Sequence, residues 1–202
     1  MPYPDRFYPV VDSVAWVARL ALLGVGTVQL RVKNLNDAEA LQLVTDALEA
    51  IKGTRAKLVV NDYWRAAIEA KAQHLHLGQE DLADADLDAI REAGLSLGVS
   101  THDDAELETA LAAKPDYVAL GPIFPTTLKS MRFAPQGIPK ITEWKKRIGT
   151  IPLVAIGGIK FEQAAEIFAA GADSIAVVSD VTQNPDPDAR VRAWLGLNAE
   201  AA

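Results

Sequence analysis

The chain has 202 residues, half of them hydrophobic and 23% charged, which is the composition of a globular protein large enough to bury its own core. Asp and Glu number 27 against 20 Lys and Arg, and the resulting net charge of −7 argues against a general nucleic-acid binder. The chain contains no cysteine, which excludes disulfides, thiolate metal sites and cysteine nucleophiles.

Eight short apolar segments rich in β-branched residues predict strands. In chain order they cover residues 7–12, 27–33, 57–62, 74–78, 96–100, 117–123, 152–158 and 174–179. Between them the apolar residues follow helical spacing, as Val14, Val17 and Ala21 do in the first such segment. Asn36 and Thr101 stand where helix N-caps are expected.

This alternation predicts an α/β fold, a single (β/α)8 TIM barrel whose domain spans residues 1–202 with its core at about residues 7–195. Uninterrupted apolar strands indicate burial on both faces, as in a parallel sheet. The alternative is an open doubly wound sheet, but no Gly-rich dinucleotide turn follows the first strand. Polar residues follow the strands, and a barrel enzyme builds its site from those strand ends.

Three polar residues alternate along the second predicted strand. The period of a strand places Gln29, Arg31 and Lys33 on one face, which points into a barrel. Two cations are costly there unless an anion meets them. That anion is either an internal carboxylate, such as Asp62 or Asp81, or a polyphosphate ligand that the planar fork of an arginine can grip.

Two aspartates follow neighbouring strands and form a candidate metal site. Asp62 ends the third predicted strand and Asp81 follows the fourth, so closure of a barrel would bring them together. Two carboxylates beside phosphate-binding cations are typical of a Mg²⁺ site. The alternatives are a helix-capping role for Asp62 and a solvated loop for Asp81.

The histidines are weaker candidates for metal ligands. His74 and His76 alternate on a buried strand, with no third His or Cys at a useful spacing. His102 lies downstream of the fifth strand. We interpret the first two as core residues or as supports for a site.

Two regions have the features of phosphate-binding loops. After the sixth strand, residues 121–129 offer hydroxyls and one lysine, and the loop continues to about Pro139, a length typical of a mobile lid. Glycines at 157–158 follow the seventh strand, and residues 178–179 follow the eighth, where barrels often hold phosphate on backbone amides. Tight turns alone would also explain the glycines.

The ordered set of these motifs resembles the thiamine-phosphate synthase family, also called thiamine-phosphate pyrophosphorylase. The resemblance runs from about residue 7 to residue 180. It is carried by QLRVK (29–33), ND (61–62), HLGQED (76–81), GVST (98–101), GPIFPTTLK (121–129), AIGGI (155–159) and AVVS (176–179). Leu128 stands where the family often has a third threonine before the loop lysine.

The resemblance implies a transferase that joins hydroxymethylpyrimidine diphosphate to a thiazole phosphate, carboxylated or not, and releases pyrophosphate with the help of Mg²⁺. The pyrimidine diphosphate would be bound by Gln29, Arg31, Lys33, Asn61, Ser100 and Lys129. Of these, the catalytic residues would be Arg31, Lys33, Ser100 and Lys129. The thiazole phosphate would be bound by Thr126, Thr127, Gly158, Val178 and Ser179, and the metal by Asp62 and Asp81.

Three other functions remain open from the sequence. A thiazole tautomerase of the same superfamily typically carries a histidine after the glycine of the sixth loop, where this chain has Pro122. A sugar-phosphate isomerase or epimerase would need an acid/base pair at opposing strand ends. A non-catalytic barrel that binds thiamine phosphate would need no metal.

We expect small-molecule partners, no nucleic acid and no membrane, with a homodimer as a possible assembly. The first twelve residues contain no apolar run of the length that a signal peptide or a membrane span needs. Together with the absence of cysteine, this favours a cytoplasmic location.

Overall fold

Eight parallel strands form a closed barrel in chain order in this computed structural model, which describes residues 3–126 and 133–199. The strands are β1 (Phe7–Val11), β2 (Thr27–Leu30), β3 (Lys57–Asn61), β4 (His74–Leu77), β5 (Ser96–Thr101), β6 (Tyr117–Leu120), β7 (Leu153–Ile156) and β8 (Ser174–Val177). β1 pairs with both β2 and β8, and the register of Tyr8 with Ala176 closes the ring. The predicted TIM barrel is confirmed, and the open-sheet alternative is wrong.

Helices connect the strands and cover the outside of the barrel. In the described ranges they are α1 (Val14–Leu22), α2 (Asp37–Ala50), α3 (Trp64–Glu69), α4 (Gln79–Asp84), α5 (Leu87–Glu92), α6 (Asp104–Ala112), α7 (Gly137–Ile148), α8 (Ala164–Ala169), α9 (Ser179–Thr182) and α10 (Pro187–Ala199). A 3₁₀ turn, Phe161–Gln163, precedes α8. No helix in these ranges is long and apolar enough to cross a membrane.

One predicted helix cap is confirmed and the other is wrong. Asn36 caps α2 in a reciprocal capping box with Glu39, in which each side chain accepts the other residue's backbone N–H. Thr101 does not cap α6, because it is the last residue of β5 and its hydroxyl donates to the Ala119 carbonyl at 2.8 Å. Asp103 caps that helix instead.

The second strand is shorter than predicted. β2 ends at Leu30, whereas the apolar pattern predicts a strand to residue 33. The ladder stops because β1 ends at Val11, whose carbonyl accepts the last hydrogen bond from the Arg31 N–H at 2.7 Å. Arg31 and the residues after it are therefore released from the sheet at the rim of the barrel.

Two hydrophobic cores lie on opposite sides of the strands. The larger core fills the space between strands and helices, and its largest fully buried side chains are Trp144 and Trp194. The smaller core lies inside the barrel and includes Tyr8, Tyr117 and Val154. Gly98 on β5 makes room for the Tyr117 ring, since a Cβ at that position would overlap it.

We expect Gly98→Ala to destabilise the protein by about 1–3 kcal/mol, because the added methyl overpacks the barrel interior. Gly196→Ala is the matched control: among the described residues, no atom beyond its chain neighbours and the backbone of its own helix lies within 4 Å of the added Cβ, and alanine there favours α10 by about 1 kcal/mol. Urea unfolding of both variants measures the difference. A Gly98→Ala variant as stable as the native chain would contradict this packing.

Candidate active site

The carboxyl ends of the strands enclose a cavity of about 340 Å³. It collects residues that lie far apart in the chain but at equivalent places on the strands. Of the predicted site residues, the cavity is lined by Gln29, Arg31, Asn61, Ser100, Thr126, Gly158, Val178 and Ser179. Thr127, Leu128 and Lys129 lie outside the described residues.

The two predicted metal ligands line a smaller cavity of about 170 Å³ beside the first. Asp62 adopts a left-handed backbone conformation with a φ of 66°, and its N–H donates to the His76 carbonyl at 2.9 Å. A non-glycine residue in this conformation is held there by its surroundings and is typical of a functional position. The turn places the Asp62 carboxylate at the strand ends, where only 8% of the side chain is exposed.

Lys33 and Asn61 both bind the Asp62 carboxylate. The Lys33 ammonium forms an ion pair with it, and the Asn61 amide donates to it at 2.5 Å. The internal ion pair that the sequence left open for Lys33 is therefore formed, with Asp62 as its acid. Lys33 remains 45% exposed although its ammonium is paired with Asp62.

Asp81 lies against Asp62, and this contact helps to raise the pKa of the Asp81 carboxyl. Burial raises the pKa of Asp81 to about 6, with further increases from the hydrogen bond and the negative charge of Asp62. Two carboxylates in one site disfavour each other's ionised form unless a cation joins them. Lys33 supplies one positive charge against the two carboxylates, so the three groups together carry a net negative charge when both carboxylates are ionised.

This donor set fits Mg²⁺. The ion prefers hard oxygen ligands and is usually held by one or two carboxylates together with waters and substrate phosphates. Within residues 3–126 and 133–199, no group of three or more His, Asp or Glu residues is arranged to hold a metal. Asp62 and Asp81 would therefore hold the ion jointly with the substrate rather than in a cage of their own.

Five side chains across the barrel interior are joined end to end by hydrogen bonds. Gln29 contacts Tyr8 at 2.8 Å, and the Tyr8 and Tyr117 hydroxyls are 2.8 Å apart. Tyr117 contacts Nδ1 of His76 at 2.8 Å, and Nε2 of His76 contacts the Ser100 hydroxyl at 2.7 Å. Gln29 and Ser100, at the two ends, both line the large cavity.

Burial keeps the middle of this hydrogen-bonded chain uncharged. Burial lowers the pKa of His76 to about 4, while Asp62 opposes that shift and Arg31 adds to it. Burial also raises the pKa of Tyr8 and of Tyr117 above their ordinary value. The inner wall of the cavity is therefore polar and neutral at pH 7.

His76 is buried, in agreement with the core or supporting role that the sequence predicts, whereas the roles of Tyr8 and Tyr117 were not predicted. Period-two alternation in β1 and β6 would have placed both tyrosines inside the barrel. His74 lies at the opposite, amino-terminal end of β4, where its ring stacks on Tyr3 with the centroids 4.3 Å apart.

The loop after β6 packs against the turn after β7. The Phe124 N–H donates to the Gly157 carbonyl at 2.9 Å, and Ile123 makes the same bond to Ile156. Gly158 has a φ of 68°, and a Cβ there would stand 2.5 Å from the Pro125 carbonyl oxygen. The glycine pair is thus needed for the approach of one loop to another, and Gly158 still lines the cavity.

A histidine that sequence analysis left unassigned holds the far end of the same loop. The His102 ring stacks on Phe133 with the centroids 4.7 Å apart, and its Nδ1 lies 2.6 Å from the Glu106 carboxylate. His102 also lines the large cavity. The helix that follows the loop begins at Gly137, two residues before the predicted end of the loop at Pro139.

Comparisons with known proteins agree with this geometry. The family model described as thiamine monophosphate synthase matches residues 7–181. A thiamine-phosphate synthase from Rhizobium etli is 55% identical over 195 residues, with 96% of each chain covered. One from Cronobacter sakazakii is 54% identical over 187 residues, with 92% of this chain and 89% of the relative covered.

Solved structures extend the similarity to the fold. The thiamine phosphate pyrophosphorylase from Pyrococcus furiosus superposes with a TM-score of 0.79 at 28% identity and covers 96% of both chains. A 3-hexulose-6-phosphate synthase, with a TM-score of 0.71 at 15% identity over 95% of this chain and 98% of its own, shares the barrel alone. With a family model that spans the whole barrel and relatives that are more than half identical, this chain belongs to the thiamine monophosphate synthase family.

Proposed function

We propose that this chain joins hydroxymethylpyrimidine diphosphate to a thiazole phosphate to form thiamine phosphate and pyrophosphate. The bond between the pyrimidine methylene and the diphosphate oxygen breaks, and its electron pair leaves with pyrophosphate. The thiazole nitrogen then gives its lone pair to the methylene carbon. The observation that carries this proposal is the convergence of the family's motif residues on one cavity beside the Asp62–Asp81 pair.

The charged side of the site would bind the diphosphate. Arg31 lines the large cavity, and its planar fork can hold two phosphate oxygens at once. Lys33 pairs with Asp62, which follows the cavity residue Asn61 in the chain, and is proposed to reach the diphosphate from there. Both cations would stabilise the charge that develops on the leaving group. Lys129 is proposed to assist them from the loop.

Asp62 and Asp81 would hold Mg²⁺. When bound, the ion would neutralise charge on the leaving pyrophosphate. Asn61 donates to Asp62 and so helps to fix the orientation of its carboxylate.

The neutral side of the site would bind the pyrimidine ring. Loss of pyrophosphate leaves positive charge on the methylene and the ring. The thiazole nitrogen attacks the methylene carbon, so no protein nucleophile is needed. Tyr8, His76 and Gln29 offer polar but uncharged groups along this wall. The loop between β6 and α7 would exclude water, which otherwise competes with the thiazole nitrogen for the methylene.

The thiazole phosphate would bind on the other side of the cavity, at the ends of β6, β7 and β8. The residues proposed for it are Thr126, Thr127, Gly158, Val178 and Ser179. The segment after β8 is anchored from behind, because the Trp194 indole donates to Asp180 at 2.8 Å. A fixed segment holds its backbone amides in place for an anion.

The other functions considered are less well supported. Pro122 lines the cavity at the place where the tautomerases carry a histidine. A sugar-phosphate isomerase could use His76 as a base, but both of its ring nitrogens are hydrogen-bonded, one to Tyr117 and the other to Ser100. A non-catalytic binder would not need the Asp62–Asp81 pair.

The extent of the domain, the location and the assembly stay predictions. We propose one domain over residues 1–202, in the cytoplasm, with a homodimer as a possible assembly.

The first test is pyrophosphate release by the purified protein with both substrates, with Mg²⁺ and with EDTA. We expect release only with both substrates and metal, and an equal amount of thiamine phosphate. Release without the thiazole substrate would contradict the coupled reaction. No release, with thiazole phosphate still bound, would leave a tautomerase or a non-catalytic binder.

Asp81→Asn removes one metal-binding charge and preserves the shape of the side chain. We expect kcat/KM to fall by about 10²- to 10³-fold, the size of an electrostatic contact made in the transition state, and half-saturation to need more Mg²⁺. Asp84→Asn is the matched control, since Asp84 is an exposed residue on the rim of the same small cavity. Equal Mg²⁺ titrations for the two variants would count against the metal site.

Arg31→Lys keeps the positive charge but loses the planar fork. We expect KM for the pyrimidine diphosphate to rise by about 10- to 100-fold, while KM for the thiazole phosphate changes little. Arg19→Lys serves as the control, because Arg19 pairs with Asp188 at 2.7 Å on the surface of α1. A KM increase confined to the thiazole phosphate would place Arg31 at the wrong substrate.

A further inference from the structure

The hydrogen-bonded chain across the barrel has a direction. It runs from Gln29 through Tyr8, Tyr117 and His76 to Ser100, with each link between 2.7 and 2.8 Å. Each tyrosine hydroxyl has one proton and can donate only once. A neutral imidazole donates from one nitrogen and accepts at the other. Once the first donor is fixed, and provided that every hydroxyl proton in the chain is paired, every later donor follows.

The Gln29 amide is that first donor. Its Nε2 donates to the Tyr8 oxygen, so the Tyr8 proton must go to Tyr117. The Tyr117 proton then goes to Nδ1 of His76. His76 is therefore protonated on Nε2, which donates to the Ser100 oxygen. The proton of Ser100 is left for the cavity.

The opposite direction would exchange every role. A Gln29 amide turned by 180° would accept from Tyr8, His76 would be protonated on Nδ1, and Ser100 would give its proton to Nε2. Ser100 would then offer the cavity an oxygen acceptor. Phosphate oxygens are also acceptors, so that direction would set two acceptors against each other.

We propose that Tyr8, Tyr117 and His76 are positioning residues that fix the hydrogen-bonding roles at the two ends of the chain. At one end, Ser100 donates a hydrogen bond to the substrate diphosphate. At the other end, the Gln29 carbonyl accepts a hydrogen bond from the pyrimidine amino group. The assignment of the two substrate groups rests on the proposed function. The direction of the chain rests on the orientation of the Gln29 amide in the ligand-free structure. The match to phosphate oxygens, which depends on the proposed function, supports it. A single direction serves both ends of the substrate, because its diphosphate accepts hydrogen bonds and its amino group donates them.

The surroundings hold the middle of the chain in place. Tyr117 is fully buried, and Gly98 leaves the space that its ring occupies. The His76 ring stacks on Tyr117 with the centroids 5.6 Å apart. On the other side of the Tyr117 ring, Tyr3 packs edge-on at 5.8 Å. Reorienting one member would require its neighbours to exchange donors at the same time.

Nitrogen NMR of the histidine side chains in the ligand-free protein tests the direction. We expect His76 at neutral pH to show protonated Nε2 and unprotonated Nδ1, with the signals assigned by comparison with His76→Gln. In Tyr117→Phe, where the donor to Nδ1 is lost, we expect that preference to weaken. A native His76 protonated on Nδ1 would overturn the proposal, and this readout does not depend on activity.

Kinetics test the consequence for catalysis. Tyr117→Phe keeps the ring and removes one hydroxyl, and we expect kcat/KM for the pyrimidine diphosphate to fall about tenfold. Tyr3→Phe is the matched control, since the Tyr3 hydroxyl is buried with no hydrogen-bond partner among the described residues. Equal kinetics for the two variants would overturn the proposal.

A pair of substitutions at His76 keeps the test decisive if Tyr117→Phe does not fold. Glutamine can accept from Tyr117 through its carbonyl and donate to Ser100 through its amide, whereas leucine can do neither. We expect His76→Gln to retain at least tenfold more activity than His76→Leu. Equal losses of activity in the two variants would mean that the His76 ring contributes only packing, and would overturn the proposal. A native protein that releases no pyrophosphate would refute the proposed function and leave the NMR result standing.

Discussion

The pairing of β1 with β8 is the contact on which the rest of the structure depends. It closes the sheet, so that every strand ends at one rim and every loop that follows a strand faces the same opening. Residues separated by most of the chain become neighbours there, as Gln29 and Ser179 do at the wall of one cavity. Without closure, the strands would still form but their polar ends would lie along an open edge.

Closure also separates the polar groups into a charged cluster at the rim and a neutral cluster inside the barrel. At the rim, the ammonium of Lys33 lies in one cluster with the carboxyl groups of Asp62 and Asp81. Asp62 adopts a strained backbone conformation in this cluster. Deeper inside, the hydrogen-bonded side chains stay neutral because burial disfavours their charged forms. Asp62 and Asp81 line the smaller cavity, and the neutral side chains of Gln29, Tyr8 and His76 line the larger one, so a substrate with an anionic end and a neutral aromatic end would span both.

The hydrogen-bonded chain shows how a neutral interior can still be specific. Its groups carry no net charge, yet each donor determines the next one from Gln29 to Ser100. Such a network specifies direction at little electrostatic cost, provided that every member is paired. Gly98 and the tyrosine rings supply the packing that keeps it paired, so the packing of the barrel interior and the hydrogen-bonded chain share the same residues.

The sequence by itself determined the eight strands, the closed barrel, the Asn36 cap and the set of motif residues that meet at the rim, because these depend on local periodicity and on the order of elements along the chain. Tertiary structure decided the rest. The end of β2 at Leu30 depends on where its neighbour β1 stops. The route from Tyr8 through Tyr117 to Ser100 depends on contacts across the barrel, between side chains up to 109 positions apart, which no local pattern in the sequence records.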